Sequence, residues 1–381
     1  MIDVPEIDLS DPEVLTDPFT AYGRARERGP VARLVTPGFG SMWAVTRYDD
    51  AKAMLTDPRL HLTDQTYLRL DVPEHCRKYL RTMQGMDGAE HARLRRLVSP
   101  AFTARRAERL RPRIARIVDA LLEKLTGEVD LLTEFARPLP IDVICELVGI
   151  PIADRGAWRE YGLAIATGDG AAFTTAVPAI IREAAAVIER HQPGTDLLAD
   201  LIGGQAGTDE LITLVWHLVL AGQVPTHLIG NALDALARHP DQLAALRADE
   251  SMLPRAVEEL TRWCGPQLLS LPRFAQQDFE IGGVPIAKGE PVLAALACAN
   301  RDPRVFTDPE RLDLCRPISE PAHLGYAHGP HYCLGAALAR VQVQVALGAF
   351  LRRFGTFTVA AHRVPDPGAW RFDAVTVTVD D

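Results

Sequence analysis

Six cysteines are scattered along the chain, at 76, 145, 264, 298, 315 and 333, and no two of them form a CxxC pair. One lies in a segment unlike the rest, since His323 to Arg340 reads HLGYAHGPHYCLGAALAR. Gly325, Gly329 and Gly335, with Pro330, imply a tight loop around Cys333 that lets the backbone approach a flat or bulky group. After Cys333, Leu334, Leu338, Val341 and Val345 recur at helical spacing. The cysteine is therefore expected at a helix N-terminus, where free N–H groups and the helix dipole favour a thiolate. A thiolate is the form an iron ligand must take. Three other chemistries compete: a buried inert thiol, a zinc site built from His323, His328, His331 and Cys333, and a reactive nucleophile. Structural zinc usually draws ligands from two separated knuckles, and no second knuckle is present. A nucleophile needs a base and an oxyanion hole, which the sequence does not place. The other cysteines read as buried free thiols, because a disulfide framework is not expected in a chain of this size without an export signal.

Two further pairs sit at helical spacing. Glu259 and Arg262 are at i, i+3 and His91 and Arg95 at i, i+4, so each pair shares one helix face. Alone, such pairs are common on solvated helices. The segment around Cys333 resembles the haem-binding loop of the cytochrome P450 family, written FGxGxHxCxG. Gly329, His331, Cys333 and Gly335 match it, while Tyr326 stands where Phe is usual and Ala327 where the first Gly is usual. Tyr326 keeps an aromatic ring near the sulfur but adds a hydroxyl that needs a partner, and Ala327 needs a compatible backbone angle.

The resemblance covers nearly the whole chain, with its parts in the family's order. It implies haem b, with iron bound by the Cys333 thiolate and Tyr326 and Gly335 against the cofactor. It also implies that His91, Arg95, Arg273 and His331 hold the propionates, buried carboxylates that require cationic or hydrogen-bonding partners. Glu259 and Arg262 correspond to the family's ExxR helix, and Arg311 in DPERLDL to the later arginine that joins them; these three residues take a structural role.

The opposite side of the cofactor departs from the family. Where the family has Ala-Gly-x-acid-Thr, this chain reads Ala221-Gly222-Gln223-Val224-Pro225-Thr226. The resemblance implies that Ala221 and Gly222 keep space beside the iron for dioxygen. Val224 and Pro225 replace the acid and alcohol that deliver protons, so Thr226, Gln223, water or a substrate group is expected to take over. Pro225 lacks an N–H and its ring crowds the carbonyl of Ala221, which predicts a kink. A peroxide-driven oxidase is one alternative, although relatives of that kind carry Arg-Pro where this chain has Val-Pro. Radical coupling or rearrangement is another, and a non-catalytic haem sensor is the rival from a different class.

The elements that must position these residues are mostly helical. Two helices are predicted over 88–125, broken near Ser99-Pro100, with a short buried helix over 139–149 and another over 256–263. A long central helix over about 209–239 is predicted to cross the interior above the haem, because LITLVWHLVLAG is apolar on all sides. Strand signals are confined to FEIGGVPI, PVLAALA and WRFDAVTVTV. The expectation is a mainly α fold with small peripheral β-sheets, P450-like, in a single haem-thiolate catalytic domain over 1–381 with no fused reductase. The chain has 381 residues, 47% of them hydrophobic, and a net charge of -9, which argues against nucleic-acid binding. No convincing membrane span or signal pattern is read, so a cytoplasmic location is expected.

Between Arg93 and Arg116 lie nine arginines and one acid, Glu108. They form a basic patch that is either a solvated face or a docking surface for an acidic ferredoxin- or flavodoxin-type electron donor. The residues expected to line the pocket lie near Met83 and Met86, over Ala164 to Val177, on the Trp216 to Val224 face, and over Leu268 to Leu271. The expected activity is that of a haem-thiolate oxidase or monooxygenase. It uses dioxygen and electrons from a separate partner on a small, largely apolar molecule, in a setting of natural-product tailoring.

Overall fold

From Leu211 to Gly222 the only polar side chains are Thr213 and His217, so this stretch must be enclosed as a helix. In the computed structural model that helix runs Thr208–Ala221 and a second, Val224–Arg238, follows it. The single helix expected over 209–239 is thus two. The first ends where the Gly222 N–H donates to the Leu218 carbonyl at 2.9 Å, and the Thr226 N–H closes a tight turn on the Gln223 carbonyl at 3.0 Å. Pro225 explains the break. A proline in mid-helix costs about 3 kcal/mol or more, whereas in a first turn its missing N–H would have had no partner anyway. The two-helix segment Thr208–Arg238 is long and apolar enough to cross a bilayer, yet most of it is buried inside the protein, as a core helix should be.

The structure describes residues 4–36, 40–63, 66, 72–166, 170–191, 197–203, 206–317 and 322–379. They gather into two compact units. The first comprises Met1–Thr66, Ala235–Cys333 and Arg363–Phe372. Its described strands form a sheet in the order Glu6–Asp8, Val31–Thr36, Gly40–Val45, Pro291–Ala294, Arg273–Ala275, Leu60–His61. Trp43 pairs with Val292 in parallel register, and Arg273 pairs with Val292 antiparallel. One side of the sheet packs on Tyr48, Leu55, Phe306 and Leu324, the other on Tyr22, Leu268 and Cys298. The FEIGGVPI hairpin forms as expected, with Gly282 and Gly283 at φ 56° and 81°. The strands Val31–Thr36 and Gly40–Val45 carried no alternating pattern, because a strand covered on both faces does not alternate.

The second unit comprises Tyr67–Asp234, Leu334–His362 and Asp373–Asp381. It holds the helices Gly88–Val98 and Ala104–Leu122, separated by a 3₁₀ turn at Ser99–Phe102 where the sequence predicted a break. Ala104–Leu122 packs along Ala336–Arg353, the helix that follows the cysteine loop. Pro138–Leu147 is buried along most of its length. The architecture is mainly helical with small sheets.

Candidate functional site

The loop before Cys333 is a succession of tight turns. The Ala327 N–H donates to the Leu324 carbonyl at 2.8 Å, Tyr332 N–H to Gly329 carbonyl at 3.0 Å, and Cys333 N–H to Tyr326 carbonyl at 2.9 Å. Gly329 sits at φ 75°, and a Cβ there would lie 2.5 Å from Thr56 Cγ2. Ala327, in the position where Gly is usual, is forced to φ 59°. A non-glycine residue there costs roughly 1–2 kcal/mol. Ala327→Gly is therefore expected to raise stability by about 1 kcal/mol, read as a higher urea midpoint at unchanged slope. The following helix begins at Ala336 with Gly335 as its cap, so Cys333 lies just ahead of the helix rather than in its first turn.

Exposure separates this cysteine from most of the others. Cys76, Cys145, Cys264 and Cys298 are buried, while Cys315 and Cys333 are exposed. Burial pushes the thiols of Cys145 and Cys298 up to about 12, which keeps them protonated and inert. The zinc reading fails: among the described residues no group of three or more His, Cys, Asp or Glu could hold a metal ion. His323 instead lies 3.2 Å from Glu258 through Nε2 and accepts the Gly325 N–H at Nδ1.

Glu259 and Arg262, on the helix Leu253–Cys264, are the centre of a buried charge network. Arg262 donates Nε to Glu259 Oε2 at 2.7 Å and Nη2 to Oε1 at 2.8 Å, with both side chains 2% exposed. Arg262 also donates to the carbonyls of Asn300, Pro309 and Arg311. The arginine whose guanidinium joins Glu259 is Arg316, through Nε at 3.1 Å. The assignment to Arg311 is thus corrected, for its side chain is exposed and only its carbonyl enters the network, accepting from Arg262 and Arg316. In DPERLDLCR both arginines are available, and only the path of the chain after Arg311 turns the second one inward. Asn300, not singled out in the sequence, extends the network towards the cysteine loop, its Oδ1 accepting the Leu324 N–H at 2.6 Å. Arg273 is buried at 5% exposure on its strand.

In the second unit His91 is buried on the helix Gly88–Val98, with Arg95 partly buried one turn on. At the helix break, Gly222 is held against the helix Pro138–Leu147, since a Cβ there would fall 2.1 Å from Ile144 Cδ1. Gln223 turns its amide towards the helix Arg155–Ala166, with Nε2 3.3 Å from where a Gly162 Cβ would stand. Both amide atoms of Gln223 and the Thr226 hydroxyl are buried without a hydrogen-bond partner among the described residues. Val224 is 37% exposed. Met83 and Met86 are buried, and part of the predicted lining over Ala164 to Val177 lies outside the described residues.

The basic stretch is less bare than its sequence implies. Arg93 pairs with Glu210, Arg106 with Asp200, Arg111 with Glu108 at 2.7 Å and Arg113 with Glu146 at 3.3 Å. Arg105, Arg109 and Arg116 stay exposed and fall on one face of the helix Ala104–Leu122, at i, i+4 and i+11.

The residues fit the cofactor implied by the cysteine loop. An exposed thiol stands in a glycine-rich turn beside Tyr332, which is itself 38% exposed. Arg273 is a buried cation of the kind that receives a carboxylate. The sequence profile described as Cytochrome P450 matches residues 174–377. Cytochrome P450 107B1 of Saccharopolyspora erythraea is 39% identical over 98% of this chain and 96% of its own length. The 6-deoxyerythronolide B hydroxylase of the same organism is 38% identical over 96% and 95%. A solved structure, the ligand-free P450 monooxygenase TamI, aligns with a TM-score of 0.89 and 35% identity over 99% of this chain and 94% of that one. The chain belongs to the cytochrome P450 family, oxidoreductases that carry haem iron on an axial cysteine thiolate.

Proposed function

We propose that this protein is a monooxygenase that inserts oxygen into a small, largely apolar molecule of natural-product type. In this reading Cys333 holds the haem iron, His91, Arg95, Arg273 and His331 receive the propionates, and Tyr326 and Gly335 lie against the cofactor. The observation that carries it is Cys333 itself, an exposed thiol in a turn built by Gly329 and a left-handed Ala327. When bound, haem supplies the activation of dioxygen, and the protein orients and desolvates the substrate. Named relatives that act as hydroxylases and monooxygenases support the reading. The test is the reduced, carbon monoxide-bound spectrum of the purified protein. A thiolate-type Soret band is expected, and colourless protein that takes up no haem would defeat the proposal.

Proton delivery is proposed to run through the helix break. A buried carboxamide and hydroxyl left without partners each cost about 1–3 kcal/mol, so Gln223 and Thr226 are suited to hold ordered water there. Val224 and Pro225 offer no exchangeable side-chain proton. Gln223→Leu and Thr226→Val are each expected to lower the fraction of reducing equivalents recovered in product by at least about two-fold, with the remainder appearing as peroxide. Unchanged coupling in both variants would remove these side chains from the proton path.

We further propose one catalytic domain over the chain, a cytoplasmic location, and an acidic ferredoxin- or flavodoxin-type donor. The exposed face of Arg105, Arg109 and Arg116 offers such a donor its charge complement. Reversing all three to Glu is expected to slow the second-order reduction by such a donor about ten-fold at low ionic strength, with the gap closing at high salt.

A further inference from the structure

The start of the cysteine loop is held from one helix at two points. Glu258 and Thr261 lie at i and i+3 on one face of Leu253–Cys264. Glu258 Oε2 stands 3.2 Å from His323 Nε2, and Thr261 presses so closely on Gly325 that a Cβ there would lie 2.8 Å from Thr261 Cγ2. The His323 side chain is 6% exposed and that of Glu258 17%. Within the loop, the Gly325 N–H donates to His323 Nδ1 at 3.1 Å. A backbone N–H can only donate, so Nδ1 is bare and the ring proton sits on Nε2, where it faces the Glu258 carboxylate. The other tautomer would set two donors face to face. The contact with Glu258 thus selects the tautomer that the loop needs.

The consequence runs along the backbone to the cysteine. Gly325 precedes Tyr326, whose carbonyl accepts the Cys333 N–H at 2.9 Å. The Leu324 carbonyl, between His323 and Gly325, accepts the Ala327 N–H at 2.8 Å, and that bond closes the turn in which Ala327 stands at φ 59°. A left-handed residue other than glycine is unfavourable and persists only where neighbouring bonds over-determine it. The Tyr326 ring lies against His323, with centroids 5.6 Å apart. Every residue in this chain of contacts belongs to the first compact unit.

We infer that His323 is a positioning residue for the iron ligand: its Nδ1, kept free of a proton by Glu258, fixes the turn that sets the direction of the Cys333 side chain. This rests on the haem-thiolate reading above. His323 acts through the Gly325 N–H and the Tyr326 carbonyl, in the way that groups behind a metal ligand set its orientation and its strength of donation.

The test uses the haem-loaded protein and reads two quantities: the share of the reduced carbon monoxide complex that shows the thiolate-type band, and the hydrogen exchange of the peptide that carries Cys333. His323→Leu removes both ring nitrogens. It is expected to lower the thiolate share at least about two-fold and to speed exchange of that peptide about ten-fold. His323→Asn offers an amide oxygen that accepts the Gly325 N–H two residues on, as in an Asx turn, and is expected to keep both quantities near wild type. Glu258→Ala lets the ring take the wrong tautomer and is expected to lower the thiolate share when His323 is present. In His323→Asn, where no tautomer has to be selected, the same change should cost nothing further. A histidine that only fills space would give equal losses in the Leu and Asn variants, with Glu258→Ala adding the same loss to either background. Equal losses, an unchanged band and exchange in His323→Leu, or additive effects of Glu258→Ala overturn the proposal. Should His323→Leu fail to fold, the Asn and Glu258 comparison decides alone. A missing thiolate band in wild type would overturn the haem-thiolate reading and this one together, whereas an intact wild-type band that ignores all three substitutions sinks only this one.

Discussion

Cys333→Ser is expected to remove the thiolate-type band from the reduced carbon monoxide spectrum and to cut turnover on the order of 10³-fold, about 4 kcal/mol of barrier. A serine hydroxyl is the same shape but remains protonated at neutral pH and donates far less electron density than a thiolate. The substitution leaves the loop's framework in place. The residue's N–H still donates to the Tyr326 carbonyl, and Gly329 still fills its close approach to Thr56. The far-ultraviolet circular dichroism and the urea midpoint should therefore match wild type, so that lost activity is not lost folding. Cys315→Ser provides the contrast: it removes the other exposed thiol and should leave both spectrum and turnover unchanged. A thiolate band that survives in Cys333→Ser would show that another cysteine holds the iron.

Glu259→Ala is expected to destabilise the protein by about 3–5 kcal/mol, because it strands the Arg262 guanidinium, 2% exposed, without its counter-charge. The damage should reach the cysteine loop. Arg262 holds the carbonyls of Asn300, Pro309 and Arg311, and Asn300 in turn holds the Leu324 N–H at the loop's entrance. Haem retention through gel filtration should accordingly fall together with the urea midpoint. The two arginines separate the sequence assignment from the observed one. Arg316→Ala loses a partly buried charge-assisted bond to Glu259 and should cost about 1.5–3 kcal/mol. Arg311→Ala leaves its carbonyl in place and should stay within about 0.5 kcal/mol of wild type. The reverse order of effects would restore Arg311 to the network.

Residue type and spacing were enough to find the cysteine loop, since three glycines, a proline and a cysteine before an apolar helical repeat place strong constraints on backbone and chemistry. They were enough, too, for the Glu259–Arg262 pair and for the break at Ser99-Pro100, which are local features set within one or two helical turns. Pro225 foretold a disruption of the central helix for the same reason. The size of that disruption was not local. Where the first helix ends, at Ala221, Gly222 lies close against Ile144, a contact between residues far apart in sequence.

What the chain determined by itself is the set of groups whose meaning lies in covalent structure and short-range geometry: the thiol and its turn, the helix faces, and the proline that cannot donate. What only the tertiary structure decided is which of several equivalent groups is used. Arg316 rather than Arg311 meets Glu259, and four arginines of the basic stretch are neutralised by acids outside it or alongside. Charge pairing and desolvation depend on distance in space, and distance along the chain carries little information about either.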